Sequence, residues 1–206
     1  AADIADKIDR NLFERYGDVQ AFGLNEVVRR QDQWYAPGAD NPIVATMDSY
    51  VRTYGVYYLT MLVDLEGRLI AVNSTDASGK PLDTGSLYER NFAQESWFRD
   101  AVNGKFLTSA DGKLTGTVVE DVKEVYGDEG LALGFAAPVA GPDGTPVAIW
   151  RNVARFDLVE EIVASTYRSL RERGMGSSEL TLLDSAGNVI VDHDPDTRGS
   201  EEIMRD

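Results

Sequence analysis

The sequence predicts an α+β protein in which a long N-terminal helix precedes a five-stranded antiparallel sheet module, followed by a linker helix and the start of a second, similar module. Three observations carry this. Apolar residues recur at helical spacing over residues 3–30. One phrase occurs twice, as Leu62-Val63-Asp64-Leu65-Glu66-Gly67-Arg68-Leu69-Ile70-Ala71-Val72 and Leu182-Leu183-Asp184-Ser185-Ala186-Gly187-Asn188-Val189-Ile190-Val191-Asp192. Between the two copies lie three apolar runs of strand length separated by turn residues.

In the N-terminal segment, Ile4, Ile8, Leu12, Val19, Phe22 and Val27 stand at three- to five-residue steps among charges, the stripe of an amphipathic helix. Residues 34–42 break it with Pro37, Gly38 and Pro42, and Pro42 then suits the first turn of a second helix running toward Tyr57. Each copy of the repeated phrase reads as a hairpin. A strand ends at the Asp, the Gly supplies a left-handed turn, and a second strand leaves in the opposite sense. The two aspartates stand 120 positions apart, which points to two β modules in tandem. Such hairpins also arise by chance, so the repeat alone leaves duplication open.

Residues 74–81 form a polar loop, and residues 95–102 a short helix carrying Trp97 and Phe98. Further strands are expected at 116–122, 131–139 and 146–154, the last two joined by the turn Pro142-Asp143-Gly144. These complete a five-stranded sheet with helices on one side. Residues 156–173 are again helical in pattern, with Leu158, Ile162, Val163 and Leu170 as the apolar face, closed by Gly174 and Gly176. The expected division is a helical stalk at 1–57, a complete sheet module at 58–155, a linker helix at 156–176 and an incomplete module at 177–206.

Composition excludes several functions. A formal net charge of −15 would repel a phosphate backbone, so neither nucleic acid nor an anionic membrane surface is an expected partner. The chain has no cysteine, which removes disulfides, thiolate nucleophiles and Cys-ligated metals. Its longest apolar stretch, around residues 55–63, is too short for a membrane helix. The single histidine, His193, lies in Asp192-His193-Asp194-Pro195-Asp196; strand alternation puts both neighbouring acids on the opposite face, so no metal site is expected. No nucleophile elbow or phosphate-binding loop occurs, and no cofactor is expected. The adjacent acids Glu120 and Asp121 leave an acidic hydrolase as a remote alternative, since neighbouring acids in so acidic a chain are ordinarily solvated.

What remains is a set of aromatic and polar residues on the sheet and its short helix: Tyr88, Trp97, Phe98, Asp121, Tyr126, Phe135, Trp150 and Asn152. Small-ligand pockets have this composition, and so does an ordinary aromatic core.

The order of elements, with the strings Asn11-Leu12-Phe13-Glu14-Arg15-Tyr16-Gly17-Asp18-Val19-Gln20-Ala21-Phe22, Val63-Asp64 through Val72-Asn73, and Ser96-Trp97-Phe98-Arg99-Asp100-Ala101, resembles the extracytoplasmic double Cache (tandem PAS-like) sensor domain of bacterial chemoreceptors and sensor histidine kinases. The resemblance covers nearly the whole chain. It implies two PAS-like modules, the first membrane-distal and ligand-binding, in a periplasmic signalling domain that serves chemotaxis or kinase control. It further implies a homodimer through the N-terminal helix, attached to the membrane only by transmembrane segments outside this chain, and no enzymatic activity. The resemblance together with that aromatic and polar set gives the expected ligand site: Trp97, Phe98, Asp121, Tyr126, Phe135 and Asn152.

Trp97-Phe98 matches the aromatic pair of the amino-acid-binding members, and Ala101 the small residue that follows. Glu95 stands where those members carry an Arg, Arg90 where they carry a Tyr, and Val119 precedes Asp121 in place of a second Tyr. An Arg fork grips an α-carboxylate and a Glu repels it, so these departures argue against an amino-acid ligand. A module with no ligand, serving only structure or dimerisation, is the alternative.

Overall fold

The computed structural model describes residues 2–35, 41–109, 111–124, 131–183, 187–193 and 202–205. Contacts divide the chain into two compact units, one of Glu14–Glu120 with Leu133–Arg155, the other of Ala1–Phe13, Asp121–Ala132 and Phe156–Asp206.

The first helix, α1 (Ala2–Phe22), is shorter than its apolar pattern predicts. It stops at Gly23, where a Cβ would come 2.9 Å from Val139 Cγ2, so this backbone sits directly against the sheet. Asn25 then starts a separate turn, α2 (Glu26–Arg29), by accepting from the Val27 N–H at 3.0 Å. The apolar spacing continues through the break, which is why pattern alone runs the two together. In α3 (Pro42–Tyr54), Pro42 fills the first turn, Asn41 accepts from the Ile43 N–H at 2.9 Å, and Gly55 in left-handed conformation donates to Val51 C=O at 2.9 Å.

The main sheet runs in the order β2-β1-β6-β5-β3, with β4 also paired to β5. Its members are β1 (Tyr57–Asp64), β2 (Leu69–Val72), β3 (Val118–Val119), β4 (Lys123–Glu124), β5 (Leu131–Ala140) and β6 (Pro146–Arg155). β1 lies between β2 and β6 and is antiparallel to both, with Thr60 opposite Asn152, Met61 opposite Arg151 and Leu62 opposite Trp150. Gly67, at φ +83°, makes the β1–β2 turn, while Asp64 Oδ1 accepts from the Glu66 and Arg68 N–H groups at 3.0 and 2.8 Å. Asp143 Oδ1 does the same for Thr145 N–H, at 3.0 Å, between β5 and β6.

Both faces of this sheet are covered, in contrast to the one-sided arrangement expected. On one face Phe22 of α1 stacks on Tyr50 of α3 at 4.0 Å and meets Trp150 of β6 edge-on at 6.0 Å, and Tyr16 meets Phe135 at 5.9 Å. On the other lies the short helix α4 (Ser96–Val102), whose Trp97 contacts Phe92 at 5.9 Å and Phe98 at 5.7 Å. Trp97, Trp150, Phe22, Phe92 and Phe135 are all fully buried, and each contributes on the order of 1.5–3 kcal/mol by leaving water. The alternation of β6 between two covered faces explains its largely apolar reading from Ala148 to Ala154, interrupted at Arg151 and Asn152.

In the second unit, α5 (Asp157–Glu172) buries Val159, Val163 and Tyr167 at four-residue spacing. Ile162 and Leu170, expected on the apolar face, are half-buried. Gly174, at φ +81°, follows the helix end. A separate sheet in the order β7-β8-β9 is built from β7 (Leu180–Leu183), β8 (Val189–His193) and β9 (Glu202–Arg205). The β7–β8 pair, with Leu182 opposite Val191, is the second hairpin of the repeat. Asp184 and Asp194 lie outside the described residues. Asp192 is buried and accepts from the Thr181 hydroxyl at 3.0 Å. Among the described residues, no helix is long and apolar enough to cross a membrane.

Candidate functional site

Strand alternation separates the predicted site residues. Trp150 and Asn152 share a face of β6, and Asn152 Oδ1 accepts from Trp150 Nε1 at 2.8 Å and from the Thr60 hydroxyl at 2.6 Å. That is the face packed by α1 and α3, and Phe135 lies on it as well, against Tyr16. Trp97 and Phe98 are on α4, across the sheet. Asp121 is exposed, with its Oδ1 accepting from the Val122 N–H at 2.9 Å. Tyr126 lies outside the described residues, and Tyr88 is 45% exposed. Among the described residues, the structure therefore places Trp97 and Phe98 together on one side of the sheet and Phe135, Trp150 and Asn152 on the other.

The polar group that meets Trp97 is one that sequence reasoning missed. Arg151, between Trp150 and Asn152, projects to the α4 face and is 1% exposed. Its guanidinium carbon lies 4.7 Å from the centre of the Trp97 ring, a cation–π contact in a site from which water is excluded. Its Nε and Nη2 both donate to Glu120 Oε2, at 2.9 and 2.5 Å. Glu120 is 8% exposed and follows β3, with its N–H donating to Gly134 C=O at 2.8 Å. The acid facing inward is thus Glu120, one position before the predicted Asp121, because adjacent residues of an extended chain face opposite ways.

Gly134 makes room for this pair. A Cβ there would lie 2.0 Å from Glu120 Oε2 and 2.8 Å from its carboxyl carbon. The glycine is thus fitted to the carboxylate, not to a turn. The signal for Arg151 was present in the sequence: a strand apolar from Val147 to Ala154 except at Arg151 and Asn152 carries one charge, and a charge in such a strand needs a buried partner.

The pair is not fully satisfied. Arg151 Nη1 and Trp97 Nε1 are both buried with no hydrogen-bond partner among the described residues. Buried polar groups are ordinarily bonded, so two open donors within one cluster mark a place built to meet an acceptor. On the opposite face Asn152 Nδ2 also has no partner among the described residues, but its Oδ1 is held by two donors, which fixes the amide as a structural bridge.

At the edge of α4, Arg90 and Glu95 pair with each other, Nη2 to Oε1 at 3.2 Å. Glu95 precedes the first residue of α4 without capping it by its side chain. Among the described residues no group of acids and histidine is arranged to hold a metal ion.

No protein-family model matches this sequence, and no curated protein sequence does. Solved structures do resemble it. The ligand-binding domain of the Pseudomonas aeruginosa amino-acid chemoreceptor PctC, in complex with GABA, matches with a TM-score of 0.60 at 16% identity, over 90% of this chain and 69% of that one. The extracellular domain of a protein assigned as a histidine kinase matches with a TM-score of 0.57 at 14% identity, over 78% of this chain and 57% of that one. The sensory domain of a Campylobacter jejuni chemoreceptor, with isoleucine bound, matches with a TM-score of 0.56 at 8% identity, over 78% of this chain and 58% of that one. This chain spans less than two thirds of the latter two. Its fold is that of the ligand-binding sensor domains of chemoreceptors and histidine kinases, as the order of its elements led us to expect.

Proposed function

We propose that this chain is the extracytoplasmic ligand-binding part of a transmembrane signalling receptor and that it binds a small molecule on the α4 face of the main sheet. The observation that carries the reading is the buried Arg151–Glu120 pair under Trp97, with two hydrogen-bond donors left open in a fold shared with ligand-binding domains. Trp97 and Phe98 supply the apolar cover, and Arg151 with Glu120 supplies the polar group that orients the ligand. The module at 58–155 does the binding, and its neighbours in structure include the ligand-binding domain of a chemoreceptor and the extracellular domain of a protein assigned as a histidine kinase.

Signal leaves through α1. This helix packs on the sheet through Val19 and Phe22, so a shift of the sheet on binding displaces it, and its hydrogen-bond ladder transmits a displacement along its axis. A homodimer through α1 gives that displacement a partner to act on.

The test is a thermal-shift screen of the purified chain against a broad metabolite panel. A ligand of the folded state raises the melting temperature by mass action. The expected result is stabilisation by at least one compound, lost on Arg151→Met. No stabilisation by any compound, or stabilisation undiminished by Arg151→Met, overturns the reading.

A further inference from the structure

We propose that the ligand presents a carbonyl-type oxygen, as a carboxylate or an amide or ketone, and carries no ammonium group. The inference rests on the site proposed above and concerns what that site selects.

The argument starts from the open atoms. Arg151 Nη1 and Trp97 Nε1 are the two buried atoms without a partner on this face of the sheet among the described residues, and both can only donate. An acceptor oxygen satisfies them and a donor cannot. Bulk water does not reach either atom, since Arg151 is 1% and Trp97 0% exposed. A buried donor left unbonded costs more than a made bond returns, so the site gains most from a ligand that supplies an acceptor at this point.

An ammonium group finds no uncompensated charge in this geometry. The carboxylate on this face is that of Glu120, whose charge Arg151 already balances through two hydrogen bonds to Oε2. An ammonium would also stand beside a guanidinium in a site where like charges are poorly screened. The flanking side chains on this face of β6, Ile149 and Val153, and the cross-strand neighbour Met61 are apolar and buried, so none offers a substitute acceptor. At the mouth of α4, Glu95 is engaged by Arg90. The site is therefore a donor pair on an apolar wall.

Carboxylate and neutral carbonyl share the acceptor but differ in charge, and Glu120 distinguishes them. The Arg151–Glu120 pair is neutral as a unit, so a carboxylate brings a second negative charge to one guanidinium, whereas an amide or ketone does not. Glu120→Gln relieves that repulsion while keeping a similar shape.

The experiment titrates the purified chain by calorimetry with short-chain monocarboxylates, their primary amides, the matching primary amines and the corresponding α-amino acids. Carboxylates or amides are expected to bind, with amines and amino acids at least about tenfold weaker. Trp97→Phe keeps an aromatic ring, smaller than the indole, and removes the N–H, and should weaken binding by about tenfold. Glu120→Gln should raise the affinity for carboxylates relative to that for their amides, and this ratio keeps the test decisive if Trp97→Phe does not fold. An amine or amino acid that binds as well as its carboxylate, and loses affinity in Arg151→Met, overturns the ligand class while leaving the site in place. Binding by no member of the panel overturns the class, and binding unaffected by Arg151→Met overturns class and site together.

Discussion

Arg151 and Glu120 form an ion pair at 2.5 Å with side chains only 1% and 7% exposed, joining β6 to the residue that follows β3, two strands that are not neighbours in the sheet. Such a pair is weak evidence for stability, because desolvation of both charges offsets their attraction, but removing one partner leaves the other charge stranded. Glu120→Ala is therefore expected to destabilise the chain by about 3–5 kcal/mol. Arg151→Met with Glu120→Leu should recover most of that loss. Urea denaturation of both variants measures it, and a single-variant loss below about 1 kcal/mol would mean the pair is solvated.

Asn152 yields a contrasting expectation. It bridges Thr60 and Trp150 on the face away from Trp97, so Asn152→Ala leaves the buried Trp150 Nε1 and Thr60 hydroxyl without their acceptor. The expected cost is about 1–3 kcal/mol in folding free energy. Affinity for any ligand held by Arg151 should change less than about twofold where the protein remains folded, by the independence of sites without shared partners. Calorimetry on the folded variant checks this, and a tenfold loss would return Asn152 to the ligand site.

Comparison of these two residues shows how far the sequence was legible. Turns and strands were readable because Asp64, Gly67 and Asp143 act on their own backbone within a few residues, and local chemistry survives in a local string. The site was not readable to the same degree. Whether Arg151 or Asn152 faces the ligand depends on the register of β6 against β1, and a one-residue difference reverses the face. The same single step separates Glu120 from Asp121. Trp97 and Phe98 were recoverable because they sit together on one short helix, whereas Phe135 was assigned by composition and lies across the sheet against Tyr16. The repeated Asp-x-x-Gly phrase likewise reports a turn before it reports a module: Asp76 accepts from the Ser78 and Lys80 N–H groups in the same way, with Gly79 at φ +86°.

Those two turns give a paired test. Gly67 and Gly79 share the left-handed conformation, but a Cβ at Gly67 would lie 2.4 Å from the Ala93 backbone nitrogen, while one at Gly79 meets nothing within 4 Å. Gly79→Ala should cost about 1–2 kcal/mol, the conformational penalty alone. Gly67→Ala should cost more than Gly79→Ala by at least about 1 kcal/mol, because the loop at Asn91 and Ala93 must also move. Thermal or urea unfolding of the two variants compares them, and equal losses would show that the loop yields freely.

The alkaline limit of stability should depend on Tyr35. Its hydroxyl donates to Asp64, and its pKa is pushed up to about 12 by burial first and then by that hydrogen bond and the carboxylate's charge. Asp64 is held below its usual range: burial alone would raise it, but hydrogen bonds from Tyr35 and from the Arg68 backbone and side chain outweigh that. The two shifts act at opposite ends of the pH scale. Folding raises the tyrosine's pKa, so its contribution is complete below the ordinary tyrosine value of about 10 and is lost as pH rises from there toward 12. Folding lowers the aspartate's pKa, so its contribution is present above the ordinary carboxylate value of about 4 and is lost as pH falls below it. Tyr57, raised chiefly by burial and then by its bond to Asp18, adds an alkaline loss of the same sign. Tyr35→Phe should therefore reduce, without abolishing, the fall in unfolding free energy between neutral pH and about pH 11, and Asp64→Asn should reduce the fall on acidification. Urea unfolding across that range measures both slopes. A Tyr35→Phe profile parallel to that of the native chain above pH 10 would show that the Tyr35–Asp64 bond does not persist in solution.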